Sequence, residues 1–297
     1  MVNDKFIGMG VATITPFRDD KSIDFKSMEK LLNHLLTNNV DFLVALGTTG
    51  ECVTLSKDER KAVINHTIEF NNGKVPLVVG MGGYNTQEVV DTIHGQDFKG
   101  IDAILSVAPY YNKPSQEGLF QHFKAIANAS PVPVIVYNVP GRTGVNMKAE
   151  TTLKLANACE NIIAVKEASG NLNQVMSIIG SRPENFLVLS GDDALTLPMI
   201  GAGANGVISV IGNAFPYEFS EMVDWALNER MMLAHQIHYK LLGLMNAIFE
   251  EGSPAGIKAA MEILGIASNN LRLPITPVSK GLYQKIEELI ATIKNSK

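Results

Sequence analysis

The sequence predicts an α/β fold, a parallel (β/α)8 TIM barrel with a C-terminal helical extension. Three observations carry that prediction. Eight short apolar, β-branched runs recur between residues 8 and 213, their first residues 20 to 34 positions apart. A helical pattern follows each run, and eight strand–helix units at even spacing favour a closed barrel over an open doubly wound sheet. The runs are also continuous rather than alternating, as strands buried on both faces of a parallel sheet must be.

Taken in order, the runs are 8–17, 42–48, 76–83, 103–111, 133–140, 162–169, 186–193 and 206–213. Phe25, Met28, Leu31, Leu32, Leu35 and Leu36 form a 3.6-period stripe that ends near Asn38-Asn39. Ser56-Lys57-Asp58-Glu59 is a capping-box signature for a helix that stops at Asn72-Gly73. Helical patterns continue at 86–98, 115–129, 148–159 and 172–179. Residues 194–217 carry no charge, but Pro198 and four glycines break them, so they read as helix, glycine-rich turn and buried strand rather than a membrane span. Beyond Asn213, helices are expected at 219–227, 231–249, 254–264 and 278–294, with a proline-broken loop, Leu273-Pro274-Ile275-Thr276-Pro277, before the last. Residues 1–230 are assigned to the barrel and 231–297 to the extension packed on it.

Composition narrows the chemistry. The 297 residues include 25 basic and 30 acidic side chains, a net charge of −5, with 46% hydrophobic and 19% charged residues. A sizeable core is affordable, and no basic field gathers nucleic acid or an anionic membrane. Two cysteines exclude a disulfide framework, and six scattered histidines make a metal site a poor expectation. The N-terminus has Asp4 where a secretory leader would be basic and no apolar stretch follows, so a cytoplasmic location is expected. No P-loop or Gly-x-Gly-x-x-Gly fingerprint occurs.

Active sites of such barrels lie at the C-terminal ends of the strands. There the runs deliver Gly47-Thr48-Thr49-Gly50-Glu51, Pro109-Tyr110-Tyr111-Asn112, Tyr137-Asn138-Val139-Pro140-Gly141-Arg142-Thr143-Gly144, Val165-Lys166-Glu167 and Ser190-Gly191-Asp192-Asp193. Lys166 is the sharpest feature: strand periodicity places it on one face with Ile162 and Ala164. The bland alternative is a Lys that snorkels to the rim or pairs with Glu167. Lowering a Lys pKa by about three units through burial costs about 4 kcal/mol, tolerated best where a neutral amine must attack a carbonyl. Tyr137 alone would read as a core aromatic; beside a neutral amine, with no histidine at hand, it becomes the proton donor and acceptor. Thr48 and a second Tyr can relay the proton outward. Thr48-Thr49-Gly50 suits a small carboxylate or is merely a capped turn. Arg142 either aims a guanidinium at another carboxylate or forms a surface ion pair. Asp192 and Asp193 point apart and lack a third metal ligand.

In this order the segments resemble the pyruvate-dependent class I aldolases of the N-acetylneuraminate lyase and dihydrodipicolinate synthase family, over essentially the whole chain. The Gly-Thr-Thr-Gly-Glu, Pro-Tyr-Tyr-Asn-Lys-Pro and Tyr-Asn-Val-Pro-Gly-Arg-Thr-Gly motifs look like the synthase branch. The resemblance implies condensation of pyruvate with aspartate semialdehyde to 4-hydroxy-tetrahydrodipicolinate, the first committed step towards diaminopimelate and lysine, without cofactor beyond a covalent lysine–pyruvate imine. It implies that Lys166 forms the imine, that Tyr137 moves its protons, and that Thr48 and Tyr111 complete the relay, Tyr111 from a neighbouring subunit. Thr49, Ile208 and the Gly191 backbone would hold pyruvate, and Arg142 the semialdehyde carboxylate. A homo-oligomer, a dimer of dimers, is implied. So is an effector cleft: Glu88 and Tyr110 match lysine contacts, whereas Tyr84 and Lys57 replace the usual Asn and His, so weak or absent lysine inhibition is expected. Two other readings stay open: a retro-aldol lyase of another 2-oxo acid, sialic or 2-keto-3-deoxy, and a catalytically silent barrel serving as a binding protein.

Overall fold

The computed structural model describes residues 2–295. Eight strands, β1 (Gly8–Ala12), β2 (Phe42–Ala45), β3 (Leu77–Gly80), β4 (Ala103–Val107), β5 (Val134–Asn138), β6 (Ile162–Glu167), β7 (Leu187–Ser190) and β8 (Gly206–Ser209), pair in parallel in sequence order and close where β1 meets β8. The strands are shorter than the apolar runs that predicted them. The excess residues are buried without joining the barrel sheet: Ile14 and Phe17 follow β1 and pack fully buried into the core outside the barrel, Phe17 making only an isolated bridge to Ile23. Apolar continuity reports burial, whereas a strand needs a hydrogen-bonded neighbour.

Between the strands run α1 (Phe25–Leu36), α2 (Lys57–Asn71), α3 (Thr86–His94), α4 (Gln116–Ala129), a one-turn α5 (Pro140–Thr143), α6 (Ala149–Ala158), α7 (Leu172–Ser181), α8 (Thr196–Gly201) and α9 (Pro216–Leu227). The capping box is present: Ser56 accepts from the Glu59 N–H and Glu59 accepts from the Ser56 N–H. Three helices follow, α10 (Met231–Ala247), α11 (Ala255–Ile263) and α12 (Lys280–Asn295), with α10 laid against α9 and α12 against both α10 and α11.

Two apolar layers make up the core. Phe42, Val44, Val78, Leu105, Ile135, Tyr137, Ala164, Leu189 and Ile208 fill the barrel, with Phe6 set edge-on to Phe42 at 5.7 Å. The larger layer lies between strands and helices. Gly10 shows how tightly the interior is filled, since a Cβ there would lie 2.0 Å from the Phe42 ring.

One expectation about β6 is corrected. Ile162 does not share a face with Lys166: the pairing runs Val134 to Ile162 and then Ile135 to Ala164, so one extra residue bulges β6. Below the bulge the alternation inverts, leaving Ile162 in the outer layer, while Ala164 stays in the barrel interior. Above it, Ala164 and Lys166 share the inner face, as period-2 geometry requires.

Candidate active site

Tyr137 and Lys166 are direct neighbours across the β5–β6 pair, and so are Asn138 and Glu167 one residue on. Strand alternation therefore sends the first pair inward and the second outward. Lys166 is 5% exposed, and its Nζ lies 4.4 Å from the centroid of the Tyr137 ring. Glu167 does not neutralise it. Both Glu167 oxygens accept from Asn138 Nδ2 (3.1 and 3.2 Å), and the carboxylate also accepts from the Ser169 N–H (2.7 Å) and Gln174 Nε2 (3.0 Å). No carboxylate among the described residues forms an ion pair with Lys166.

Burial brings the Lys166 amine down to about 8; the Asp193 charge opposes this and Arg142 reinforces it. Burial pushes the Tyr137 phenol up to about 12, with the Arg142 charge working against it. Arg142 itself is exposed on α5, started by Pro140 and closed by Gly144 at φ +73°, yet its charge bears on both groups. Asp193 is 2% exposed and pushed up to about 6 by burial, against its acceptance of the Ile211 (2.7 Å) and Val210 (3.1 Å) N–H groups. The two acids thus part, as expected, but Asp193 braces the loop after β8 and faces Lys166 electrostatically, a role the sequence reading missed.

Thr48 and Thr49 form a 3-10 turn after β2, Thr49 buried and Thr48 exposed. Thr15 Oγ1 donates to the Gly50 carbonyl at 2.7 Å and pins the turn to the segment after β1. Gly191 has a steric reason: a Cβ there would lie 2.8 Å from the Ala168 Cβ and 3.0 Å from the Lys166 Cε. Ile208 lines the barrel from β8, 1% exposed. Tyr111 behaves differently, standing out of the chain 89% exposed on a left-handed backbone at φ +72°.

The residues expected to line an effector cleft are brought together in part. Tyr84 and Tyr110 meet edge-on at 5.2 Å, Asn112 Nδ2 donates to the Tyr84 carbonyl at 3.1 Å, and the Glu88 charge reaches Tyr110. Lys57 is exposed on the first turn of α2, and the cation whose charge reaches Tyr110 is Arg60. Another residue overlooked in the sequence is Lys258, fully buried against Glu51. It is the lone charge between Glu251 and Glu262 in an apolar helix, a signal visible in the sequence. Among the described residues no group of three or more His, Cys, Asp or Glu could hold a metal, and no helix is long and apolar enough to cross a membrane.

A closed parallel barrel whose mouth sets a buried amine beside a buried phenol defines a lyase-type enzyme of the class I aldolase kind. The chain belongs to the Dihydrodipicolinate synthetase family, whose profile matches residues 5–293. It is 51% identical over 283 residues to the 4-hydroxy-tetrahydrodipicolinate synthase of Parabacteroides distasonis, covering 95% of each chain. It is 49% identical over 282 residues to the enzyme of that name from Flavobacterium psychrophilum, covering 95% of this chain and 96% of that one. The crystal structure of dihydrodipicolinate synthase from Aquifex aeolicus superposes with a TM-score of 0.94 at 39% identity, covering 97% of this chain and 98% of that one.

Proposed function

We propose that this chain condenses pyruvate with aspartate semialdehyde to 4-hydroxy-tetrahydrodipicolinate, through an imine on Lys166. The observation that carries the reading is the unpaired, buried Lys166 amine beside the Tyr137 ring. With its affinity for protons lowered to about 8, the amine is neutral in an appreciable fraction near neutral pH and can attack the pyruvate ketone. Tyr137, protonated up to about 12, gives the proton that lets the carbinolamine lose water. Loss of a methyl proton gives the enamine, which attacks the aldehyde carbon. The semialdehyde amine then attacks the imine carbon, releases Lys166 and closes the ring; one water leaves overall.

Thr49, Ile208 and the Gly191 backbone hold pyruvate in this reading, Arg142 takes the semialdehyde carboxylate, and Thr48 and Tyr111 pass the proton outward. The exposure of Tyr111, with Val53 and Tyr84 also exposed, supports a second copy of the chain seated over this mouth. A homo-oligomer, with residues 1–230 as barrel and 231–297 as extension, belongs to the same proposal. Near-full-length relatives at 49–51% identity named as synthases favour condensation over retro-aldol cleavage, and the presence of Lys166 and Tyr137 disfavours a silent barrel.

Borohydride reduction in the presence of pyruvate, followed by peptide mass analysis, tests the mechanism. A pyruvyl adduct on Lys166 is expected, and an adduct elsewhere sinks it. A coupled assay with aspartate semialdehyde then separates synthase from lyase.

A further inference from the structure

The C-terminal helices reach the Thr48–Gly50 turn through a buried charge cluster. Glu51, which closes that turn, and Lys258, on α11, form an ion pair with both side chains fully buried. Lys258 Nζ also donates to the Asn270 carbonyl at 2.8 Å and sits 4.1 Å from the centroid of the Phe17 ring. The Arg272 backbone N–H donates to Glu51 Oε2 at 3.2 Å. Its guanidinium donates to the Thr54 carbonyl (3.0 Å), the Lys21 carbonyl (2.7 and 3.0 Å) and both Glu59 oxygens, and also packs on Phe17 at 4.5 Å. Three stretches remote in sequence are therefore tied together at Glu51.

The turn depends on that tie. Glu51 is held at φ +52°, in the left-handed region, and its N–H donates to the Thr48 carbonyl at 3.1 Å. An L residue persists in that conformation only where its surroundings over-determine it, and here the side chain is fixed at its far end. A buried ion pair is a poor source of stability compared with apolar packing of the same volume, but it fixes position and orientation.

We propose that Lys258, aided by the Arg272 backbone N–H, is a positioning residue for the pyruvate carboxylate: by fixing Glu51 it sets the Thr48–Thr49 hydroxyls and N–H groups that receive it. The proposal rests on the assignment of Thr48 and Thr49 above. Lys258→Met removes the cation at similar length and leaves Glu51 uncompensated.

The test uses the full-length chain and begins with borohydride trapping of the wild type with pyruvate, since failure there overturns the aldolase reading itself. Given an adduct, Lys258→Met is assayed below its own melting temperature. The expected result is an at least tenfold rise in KM for pyruvate and in the pyruvate concentration for half-maximal trapping, with KM for the semialdehyde within twofold of wild type. A lowered melting temperature with wild-type KM for pyruvate makes the pair purely structural and overturns the proposal. Should Lys258→Met fail to fold, Glu51→Gln, which keeps the side chain's length and neutralises its half of the pair with Lys258, gives the same reading. A rise of threefold or more in KM for pyruvate alone supports the proposal, and no change overturns it.

Discussion

Lys166 Nζ lies 4.4 Å from the centroid of the Tyr137 ring, across one strand pair and in register. Burial acts on the two groups in opposite senses, lowering the amine to about 8 and raising the phenol to about 12. The phenol is thereby kept neutral and the amine is brought to where a usable fraction is neutral near pH 7, the states in which a phenol donates and an amine attacks.

Tyr137→Phe keeps the ring and removes only the hydroxyl. It is expected to lower kcat by about 10²- to 10⁴-fold, the usual worth of a positioned acid or base. Borohydride should still trap pyruvate on Lys166, more slowly. Steady-state rates that stay within a few-fold of wild type would remove Tyr137 from the proton path.

The buried amine links activity to stability. Activity should rise with pH on a limb centred near 8 as Lys166 loses its proton in the free enzyme. Unfolded, the same amine keeps its proton up to about 10.5, so the unfolded chain binds more protons between about 8 and 10.5, and the contribution of Lys166 to stability improves as pH rises through that window. Below pH 8 its penalty is full. Lys166→Met should therefore be inactive and yet more stable at pH 7, by about 3–4 kcal/mol in denaturant titration, an order-of-magnitude figure from about 1.4 kcal/mol per pKa unit. The advantage should shrink above pH 8. Equal stability of the two proteins at pH 7 would mean the amine is already compensated.

How far this was legible in the sequence depends on distance along the chain. Strand order, helix starts such as Ser56 and the strand-end groups Lys166, Tyr137 and Arg142 follow from local pattern, because side-chain period and capping act within a few residues. The bulge that turns Ile162 outward was not legible, since Ile162-Ile163-Ala164 is uniformly apolar and period 2 has nothing to register against. The roles of Asp193 and Glu51 were passed over because their partners, the Ile211 N–H and Lys258, are distant in sequence and meet them only after the barrel closes.

Gly191 is a steric constraint on the amine. Gly191→Ala would put a methyl 2.8 Å from the Ala168 Cβ and 3.0 Å from the Lys166 Cε, and the Ala168 side chain has no rotamer to retreat into. Overpacking of this kind costs about 1–3 kcal/mol, and displacing a reacting atom by about 1 Å can lower the rate about 10²-fold. The expected outcome is a folded protein with a lowered melting temperature and a kcat reduced on that scale. Wild-type trapping of pyruvate by this variant would show that Lys166 reaches its position without the space Gly191 leaves.

Weak feedback by lysine is expected if Tyr84, Glu88 and Tyr110 line an effector site, as proposed from the sequence. An amino-acid effector with two cationic groups and one carboxylate needs acids around its ammonium groups, and Glu88 is the carboxylate whose charge reaches Tyr110. The Arg60 charge reaches the same phenol and opposes a second cation there, while Lys57 lies one turn earlier on the same helix. Tyr84, 52% exposed, packs edge-on against Tyr110 at 5.2 Å and occupies space that a smaller amide side chain would leave open. Initial rates measured against lysine should therefore fall by less than half below about 1 mM, a concentration equivalent to a binding free energy of about −4 kcal/mol. Tyr84→Asn should move the half-inhibitory concentration down by opening that space and supplying an amide acceptor for an ammonium group. Half-inhibition of the unmodified chain at sub-millimolar lysine would refute this expectation, because lysine would then bind beside Tyr110 despite Arg60 and despite the Tyr84 ring.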